Sequence, residues 1–283
     1  MTILPNKKSF SIAIIFSFAF WLFLLWLRST DNFLIWDDQK VVFLRGAGYI
    51  THPYDIPGFF NPPWTLFILY PFQFLPFELG ILAQILAYFI VLSFVVHKFG
   101  GDTLTVAVVL ASPFALDSLI NLNMEWIVCI GLVVPPALSA PFLTAKPQVA
   151  LGYIMSFKPK EIVLWIGFCL VLMAITFLLY GNWIPDVLAS MQHYKVGFKL
   201  NVGPQAFLPF WLCVTIGIVI GIYAFRKQDG VIAILAGTFF IPYIATYTLL
   251  PIFAVVAARW KRFAIVVSIS LWIAVFVMGV SLV

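Results

Sequence analysis

Residues 54–64 have the sequence Tyr-Asp-Ile-Pro-Gly-Phe-Phe-Asn-Pro-Pro-Trp, a stiff aromatic stretch that leads from a polar segment into an apolar one. Asn61 is a residue type that commonly caps helices, and Pro62 and Pro63 suit a first helical turn, where no backbone donor is needed. Trp64 is an aromatic residue of the kind that marks the headgroup level of a bilayer. The stretch therefore predicts a loop outside the membrane that is stiffened just before the chain re-enters it.

The composition around this stretch is that of an integral membrane protein. The chain has 283 residues, of which 63% are hydrophobic and only 10% are charged, whereas soluble domains carry about 25% charged residues. About eleven apolar segments are separated by polar ones: residues 9–27, 64–75, 80–96, 104–119, 126–139, 149–157, 162–180, 206–225, 230–246, 249–258 and 263–283. Several are too short to cross about 30 Å of hydrocarbon alone. Because a compact bundle can shield short and broken helices, we expect one all-α transmembrane domain over residues 1–283, with about 9–11 membrane segments.

Basic residues predict the orientation of this domain. Lys7 and Lys8 precede the first segment, which we expect to be an uncleaved helix. With the N-terminus in the cytoplasm, eleven crossings place four basic clusters on the cytoplasmic side, as the positive-inside rule requires: residues 7–8, 158–160, 226–227 and 259–262. The same count places the polar turn 121–126 inside and these segments outside: residues 28–61, 97–103, 140–148 and 181–205. The prediction is a multi-pass protein of the plasma (inner) membrane.

Asp37 and Asp38 follow the first segment and are candidates for catalysis. A carboxylate at the membrane surface can act as a general base towards a hydroxyl group, although two acids can also form a solvated loop or a helix start. Cations in the outer segments, with Lys146 and Arg45 among them, suit either lipid phosphate or ordinary contact with headgroups. A lone histidine such as His193 in an outer loop is more often a surface residue than a ligand.

Several classes of site have no signal in the sequence. The histidines and acids show no metal-ligand spacing, and the three cysteines have none either. Nucleotide cradles and the serine hydrolase elbow are also absent from the sequence. We therefore predict no metal and no cofactor, and the net charge of +5 favours anionic lipid over nucleic acid as a partner. Asp117 and Glu125 lie near membrane depth, which keeps an ion-coupled transporter among the alternatives.

Four features follow each other along residues 37–64 of the chain. They are an acid after the first segment (Asp37), a glycine (Gly48), a Pro-Tyr pair (Pro53 and Tyr54) and Asn-Pro-Pro-Trp at 61–64. This pattern resembles the bacterial polyprenyl-phosphate-mannose-dependent mannosyltransferases of the C-type glycosyltransferase superfamily, of which the chain would be a short or reduced member. Two later stretches are also similar to family features: Lys-Pro-Gln at 146–148 and residues 201–205.

The resemblance implies an inverting enzyme that moves a sugar, mannose or another hexose, from a polyprenyl-phosphate donor to a lipid or glycan acceptor on the outer face. It implies Asp37 as the base, with Asp38 as the close alternative. The implied contacts to the donor phosphate and the substrate are Lys146, His193, Arg45, Tyr54, Asn61, Gln148 and Gln205. Two alternatives stay open. One is a non-catalytic accessory subunit bound to a membrane-protein partner, and the other is a transporter or flippase of lipid-linked sugars.

Overall fold

The protein is all-helical in the part that the computed structural model describes, which comprises residues 5–30, 35–44, 50–56, 58–193 and 201–278, with the backbone alone at 190–193. These ranges contain no strand, so the all-α prediction is confirmed for them. The α-helices are α1 (Lys7–Ser29), α2 (Trp64–Leu69), α3 (Phe77–Lys98), α4 (Thr103–Leu110), α5 (Pro113–Asn121), α6 (Glu125–Val133), α7 (Ala140–Leu143), α8 (Pro147–Ala150), α9 (Pro159–Tyr180), α10 (Ile184–His193), α11 (Phe210–Lys227), α12 (Gly230–Thr238), α13 (Leu249–Arg259) and α14 (Lys261–Met278). Shorter π- or 3-10-helical turns are Gln39–Phe43, Pro53–Asp55, Tyr70–Phe74, Pro136–Ser139, Leu151–Ser156, Pro204–Ala206 and Thr246–Thr248.

Four of the described helices, α1, α3, α9 and α11, are long and apolar enough to cross a membrane. The consecutive helices α4 and α5 pass the same test together, as a pair bent by 56°. The bend falls at Pro113, which has no backbone N–H, while the Ser112 hydroxyl accepts a hydrogen bond from Ala115 N at 3.3 Å and caps α5. The expected membrane character is therefore supported by four candidate spans, or five with the bent pair.

The sequence predicted more spans because it counted every apolar segment. Helices α6, α12 and α13 hold 9, 9 and 11 residues, which corresponds to about 14–17 Å at 1.5 Å per residue. These lengths are well below the hydrocarbon thickness of about 30 Å. Short helices of this kind are compatible with a bilayer where protein shields their ends, and the first residue of α6, Glu125, is fully buried.

Antiparallel packing of α1 and α3 defines two ends of the helix bundle. At one end, Ser9 Oγ lies 2.8 Å from His97 Nε2. At the other, Arg28 Nη1 lies 3.4 Å from Glu78 Oε1 and its guanidinium lies over the Trp36 ring, two residues before Asp38. We call these the Lys7 end and the Asp38 end. Residues 97–103 lie at the Lys7 end, so the prediction that they share a side with residues 28–61 is wrong.

The error in placing residues 97–103 arises because residues 64–75 were counted as a membrane crossing. The helix α2 is six residues long and is followed by the 3-10 turn Tyr70–Phe74. Asn61, just before this segment, donates to Ala145 O, and the next residue, Lys146, contacts Glu125, two residues after the Asn123 that binds Asp38. The segment ends next to Glu78, so both of its ends lie at the Asp38 end. Asn61 is not the helix cap that the sequence suggested, since α2 begins after Pro63 and has no side-chain cap.

Charge is segregated between the two ends. Lys261 Nζ lies 2.6 Å from Asp102 Oδ2 at the start of α4, and Arg259 Nη1 lies 2.5 Å from Asp229 Oδ2. Lys98, at the end of α3, lies over the Tyr153 ring, which places the start of α9 at the same end. The four basic clusters therefore share the Lys7 end, as the sequence predicted. Five of the ten described acids lie at the opposite end: Asp37, Asp38, Glu78, Asp117 and Glu125.

Candidate functional site

A cluster of polar side chains is enclosed at the Asp38 end. We call it the polar cluster, and its members are Asp38, Asn123, Glu125, Lys146 and Tyr247. They come from four separate parts of the chain: the segment after α1, the turn between α5 and α6, the residue before α8, and the turn before α13. Polar groups buried in this way cost free energy unless they are paired, so their collection marks a candidate site.

The segment that carries Asp38 is held against the C-terminal end of α5. Trp36, which is fully buried and has φ 60°, donates from its backbone N to Ile120 O at 2.9 Å and from Nε1 to Leu119 O at 2.9 Å. Gln39 Nε2 donates to Leu122 O. The last carbonyls of a helix have no partner within the helix, and these contacts satisfy them. They fix Asp38 beside the turn that follows α5.

Asp38 and Asp37 differ in their surroundings. Asp38 is half-buried and its Oδ2 accepts a hydrogen bond from Asn123 Nδ2 at 3.2 Å, whereas Asp37 is exposed. Burial raises the pKa of Asp38 above its usual value and the Asp37 charge adds to this rise, while Lys146 and the hydrogen bond from Asn123 oppose it. Of the two acids, Asp38 is therefore the one that lies within the polar cluster.

Lys146 forms a buried ion pair at the centre of the polar cluster. Its Nζ contacts Glu125 Oε1 and lies 4.7 Å from the centre of the Tyr247 ring. Glu125 is 0% exposed and Lys146 is 4% exposed. The second carboxylate oxygen, Glu125 Oε2, is buried and has no hydrogen-bond partner among the described residues. The predicted phosphate-binding cation is therefore already neutralised by an acid.

Asp117 adds a further buried carboxyl group beside the polar cluster. It is 2% exposed, and Asn121 Nδ2 approaches its Oδ1 at 3.4 Å. Its Oδ2 is buried without a hydrogen-bond partner in the described part of the chain. The charges of Glu125, Asp38 and Asp117 all act on the hydroxyl group of Tyr247, which places the three acids around one side chain.

The Asn-Pro-Pro-Trp stretch holds the segment that carries Lys146. Asn61 Nδ2 donates to Ala145 O at 2.8 Å, and Tyr54 Oη donates to Asn61 O at 3.1 Å. Trp64 also packs edge-on against Trp183 with ring centres 6.0 Å apart, and the Tyr54 ring stacks on Trp183. The prediction that Tyr54 and Asn61 bind substrate stays a prediction. In the structure their polar atoms help to position the residue before Lys146.

Of the remaining predicted site residues, Gln148 and Gln205 have described side chains, and neither is a member of the polar cluster. Gln148 is half-buried in α8, two residues after Lys146. Gln205 Nε2 donates to Phe239 O at 3.1 Å, after α12. Arg45 and Gly48 lie outside the described residues, and the side chain of His193 does as well. No group of three or more His, Cys, Asp or Glu residues suited to a metal ion occurs in the part of the chain that was searched.

Sequence analysis missed Asn123 and Tyr247 as members of the site, and it named Glu125 only for the transporter alternative. It placed the turn 121–126 at the cytoplasmic end, and the contact between Asn123 and Asp38 shows that this placement is wrong. A signal was present, since Asn-Leu-Asn-Met-Glu interrupts two apolar runs near membrane depth. Comparisons of the chain with models of protein families, with curated proteins and with solved structures found no match.

Proposed function

We propose that the protein is a membrane-embedded glycosyltransferase that uses a polyprenyl-phosphate sugar as donor and Asp38 as general base. The observation that carries the proposal is the half-buried Asp38, which accepts a hydrogen bond from Asn123 and lies within the electrostatic influence of the buried Lys146. The likeness of the surrounding sequence to polyprenyl-phosphate-dependent mannosyltransferases supplies the class of reaction. By the positive-inside rule, the Lys7 end is cytoplasmic and Asp38 faces the outer side of the plasma membrane.

The reaction can be written with all atoms balanced. The acceptor hydroxyl oxygen attacks the anomeric carbon of the donor, and its proton passes to the carboxylate of Asp38. The bond between the anomeric carbon and the phosphate oxygen breaks, and polyprenyl phosphate leaves with the electron pair. Negative charge develops on the phosphate, so a nearby cation stabilises the transition state.

Lys146 can serve as that cation if the donor phosphate takes the place of Glu125 at its Nζ. The exchange is chemically reasonable, because Glu125 has one oxygen without a partner and the donor phosphodiester offers two non-bridging oxygens. Lys40 is exposed one turn away from Asp37 and offers a second cation nearer the surface. The proposal therefore expects donor binding to compete with the ion pair between Lys146 and Glu125.

The test is turnover by the purified full chain in lipid nanodiscs, with polyprenyl-phosphate mannose and membrane lipid acceptors. We expect Asp38→Asn to lower kcat by about 10²–10⁴-fold, while the matched control Asp37→Asn stays within a few-fold of wild type. Loss of activity in Asp37→Asn alone would reassign the base to Asp37. A wild-type protein that never turns over these donors would overturn the proposal and favour a non-catalytic accessory subunit.

A second candidate function is proton-coupled transport of a lipid-linked sugar. The observation that favours it is the pair of buried carboxylate oxygens, Asp117 Oδ2 and Glu125 Oε2, which have no hydrogen-bond partner among the described residues and belong to acids that both act on Tyr247. Buried acids of this kind mark proton relays in membrane proteins. In proteoliposomes, Asp117→Asn should abolish pH-driven movement of the sugar lipid while Asp37→Asn leaves it unchanged. Equal movement in both variants would exclude this function.

A further inference from the structure

An apolar groove opens on the lipid-facing side of the bundle between α9 and α11. Its volume is about 480 Å³, and its walls include Ile154, Met155, Ile162, Ile218, Ile222 and Phe240. Arg226 lines the same groove. Since Ile218 precedes Arg226 by eight residues on one helix, the groove extends about 12 Å along α11 from this cation.

Two glycines shape the floor of the groove. A Cβ atom at Gly221 would lie 2.7 Å from Met155 Sδ, and one at Gly217 would lie 2.8 Å from the Phe240 ring. The absence of side chains at these two positions lets α11 pack close to the Met155 and Phe240 side chains. The isoleucines of α11 that flank the glycines remain free to form the wall, and Ile218 is 48% exposed.

Positive charge surrounds the mouth of the groove. Arg226 and Lys227 form the last turn of α11, and Lys158 and Lys160 stand at the start of α9, within one turn of Ile162. The acids nearest to them in the sequence are Glu161 and Asp229. Glu161 Oε2 accepts a hydrogen bond from the backbone of Lys158 at 2.7 Å, and Asp229 Oδ2 lies 2.5 Å from Arg259 Nη1. The charge at the mouth therefore suits an anion.

We propose that the groove is a binding site for an anionic phospholipid, with an acyl chain in the groove and the headgroup phosphate on Arg226. The outer faces of both flanking helices expose large apolar side chains, such as Val163 and Leu170 on α9 and Val219 on α11. An occupant must therefore come from the bilayer, and a guanidinium group pairs with phosphate through two parallel hydrogen bonds. The groove lies at the Lys7 end, away from Asp38, so this proposal does not rest on glycosyl transfer.

The test uses the purified full chain with equimolar phosphatidylglycerol and phosphatidylcholine and counts retained lipids by native mass spectrometry. We expect wild type to retain phosphatidylglycerol preferentially. Arg226→Gln should reduce this preference about fivefold, because one basic residue near an anionic surface strengthens binding by about that factor. Lys227→Gln, which removes the neighbouring charge outside the groove, should reduce it less. Ile218→Trp fills the groove and should release both lipids.

Two outcomes would overturn the proposal. One is equal retention of the two lipids by wild type, which would mean that the groove holds bulk bilayer lipid only. The other is an unchanged preference in Arg226→Gln together with unchanged lipid retention in Ile218→Trp. Both positions are exposed, so neither substitution is expected to prevent folding, and the circular dichroism spectrum of each variant verifies this.

Discussion

Removing the buried lysine of the polar cluster should be strongly destabilising. In Lys146→Met, the carboxylate of Glu125 keeps its buried position and loses its only described hydrogen-bond partner. Breaking a buried ion pair by removing one member costs about 3–5 kcal/mol, because an uncompensated charge stays out of water. Glu125→Gln should cost less, because the Tyr247 ring, 4.7 Å from Lys146 Nζ, still faces the ammonium group.

The double variant Glu125→Gln with Lys146→Met separates the energy of the ion pair itself from the cost of leaving one buried charge without its partner. Both charges are then gone, and uncharged replacements of a buried pair are often close to neutral in stability. We expect the free energy of unfolding to return to within about 1–2 kcal/mol of wild type, with a coupling energy of about 2–3 kcal/mol. The assay is equilibrium unfolding in mixed micelles, followed by far-UV circular dichroism.

The reasoning depends on Lys146 and Glu125 being charged and shielded from water. If each single substitution lowers the free energy of unfolding by less than about 1 kcal/mol, the pair behaves like a solvated surface bridge. The enclosed cluster would then be open to solvent and the structural basis of the site would be wrong. Additive effects in the double variant would lead to the same conclusion.

Four further substitutions test the packing and the two ends of the bundle. Gly237→Ala should lower the free energy of unfolding by about 1–3 kcal/mol, because the new Cβ would lie 2.7 Å from facing backbone. Its control, Gly167→Ala, has open space around the new Cβ and should be neutral or stabilising in a thermal melt. Asn61→Ala should lose about 1–3 kcal/mol in the same melt, since it leaves a carbonyl oxygen without its donor. The hydrogen bond from Lys261 lowers the pKa of Asp102, so stability should be present above pH 3.8 and be lost as pH falls below it, by no more than about 1 kcal/mol for this exposed pair. Asp102→Asn should remove that acid sensitivity in melts recorded between pH 5 and pH 3.

The features that the sequence predicted correctly are local ones. Lys7 and Lys8 followed by an apolar run were sufficient to predict α1, because the length and the flanking charge of a segment are read from the segment itself. The shared end of the four basic clusters was also predicted. Charge selects orientation through the number of basic residues in each connection, so it does not depend on how helices pack.

The features that the sequence missed depend on long-range packing. Leu122 ends α5 in a left-handed conformation, and this directs the next residues towards the segment that follows α1. Gln39 and Trp36 complete the contact by binding the carbonyls of the same helix end. The local sequence of the turn after α5 does not indicate this pairing, and neither does the local sequence of the segment after α1. The paired residues are more than 80 positions apart in the chain. Asp38 was therefore identified as a candidate base without its partner Asn123.

The same pairing lets one substitution distinguish the two functions considered for the site. In a glycosyltransferase, Glu125→Gln removes the competitor of the donor phosphate at Lys146, so KM for the donor should fall or stay constant while Asp38 remains available as base. In a proton-coupled transporter, Glu125 must bind and release a proton, and the same substitution should abolish transport. Steady-state kinetics and proteoliposome flux on one preparation of the variant give both readouts. A rise in KM together with unchanged flux would contradict both functions, because the buried carboxylate would then serve only to hold Lys146 in place.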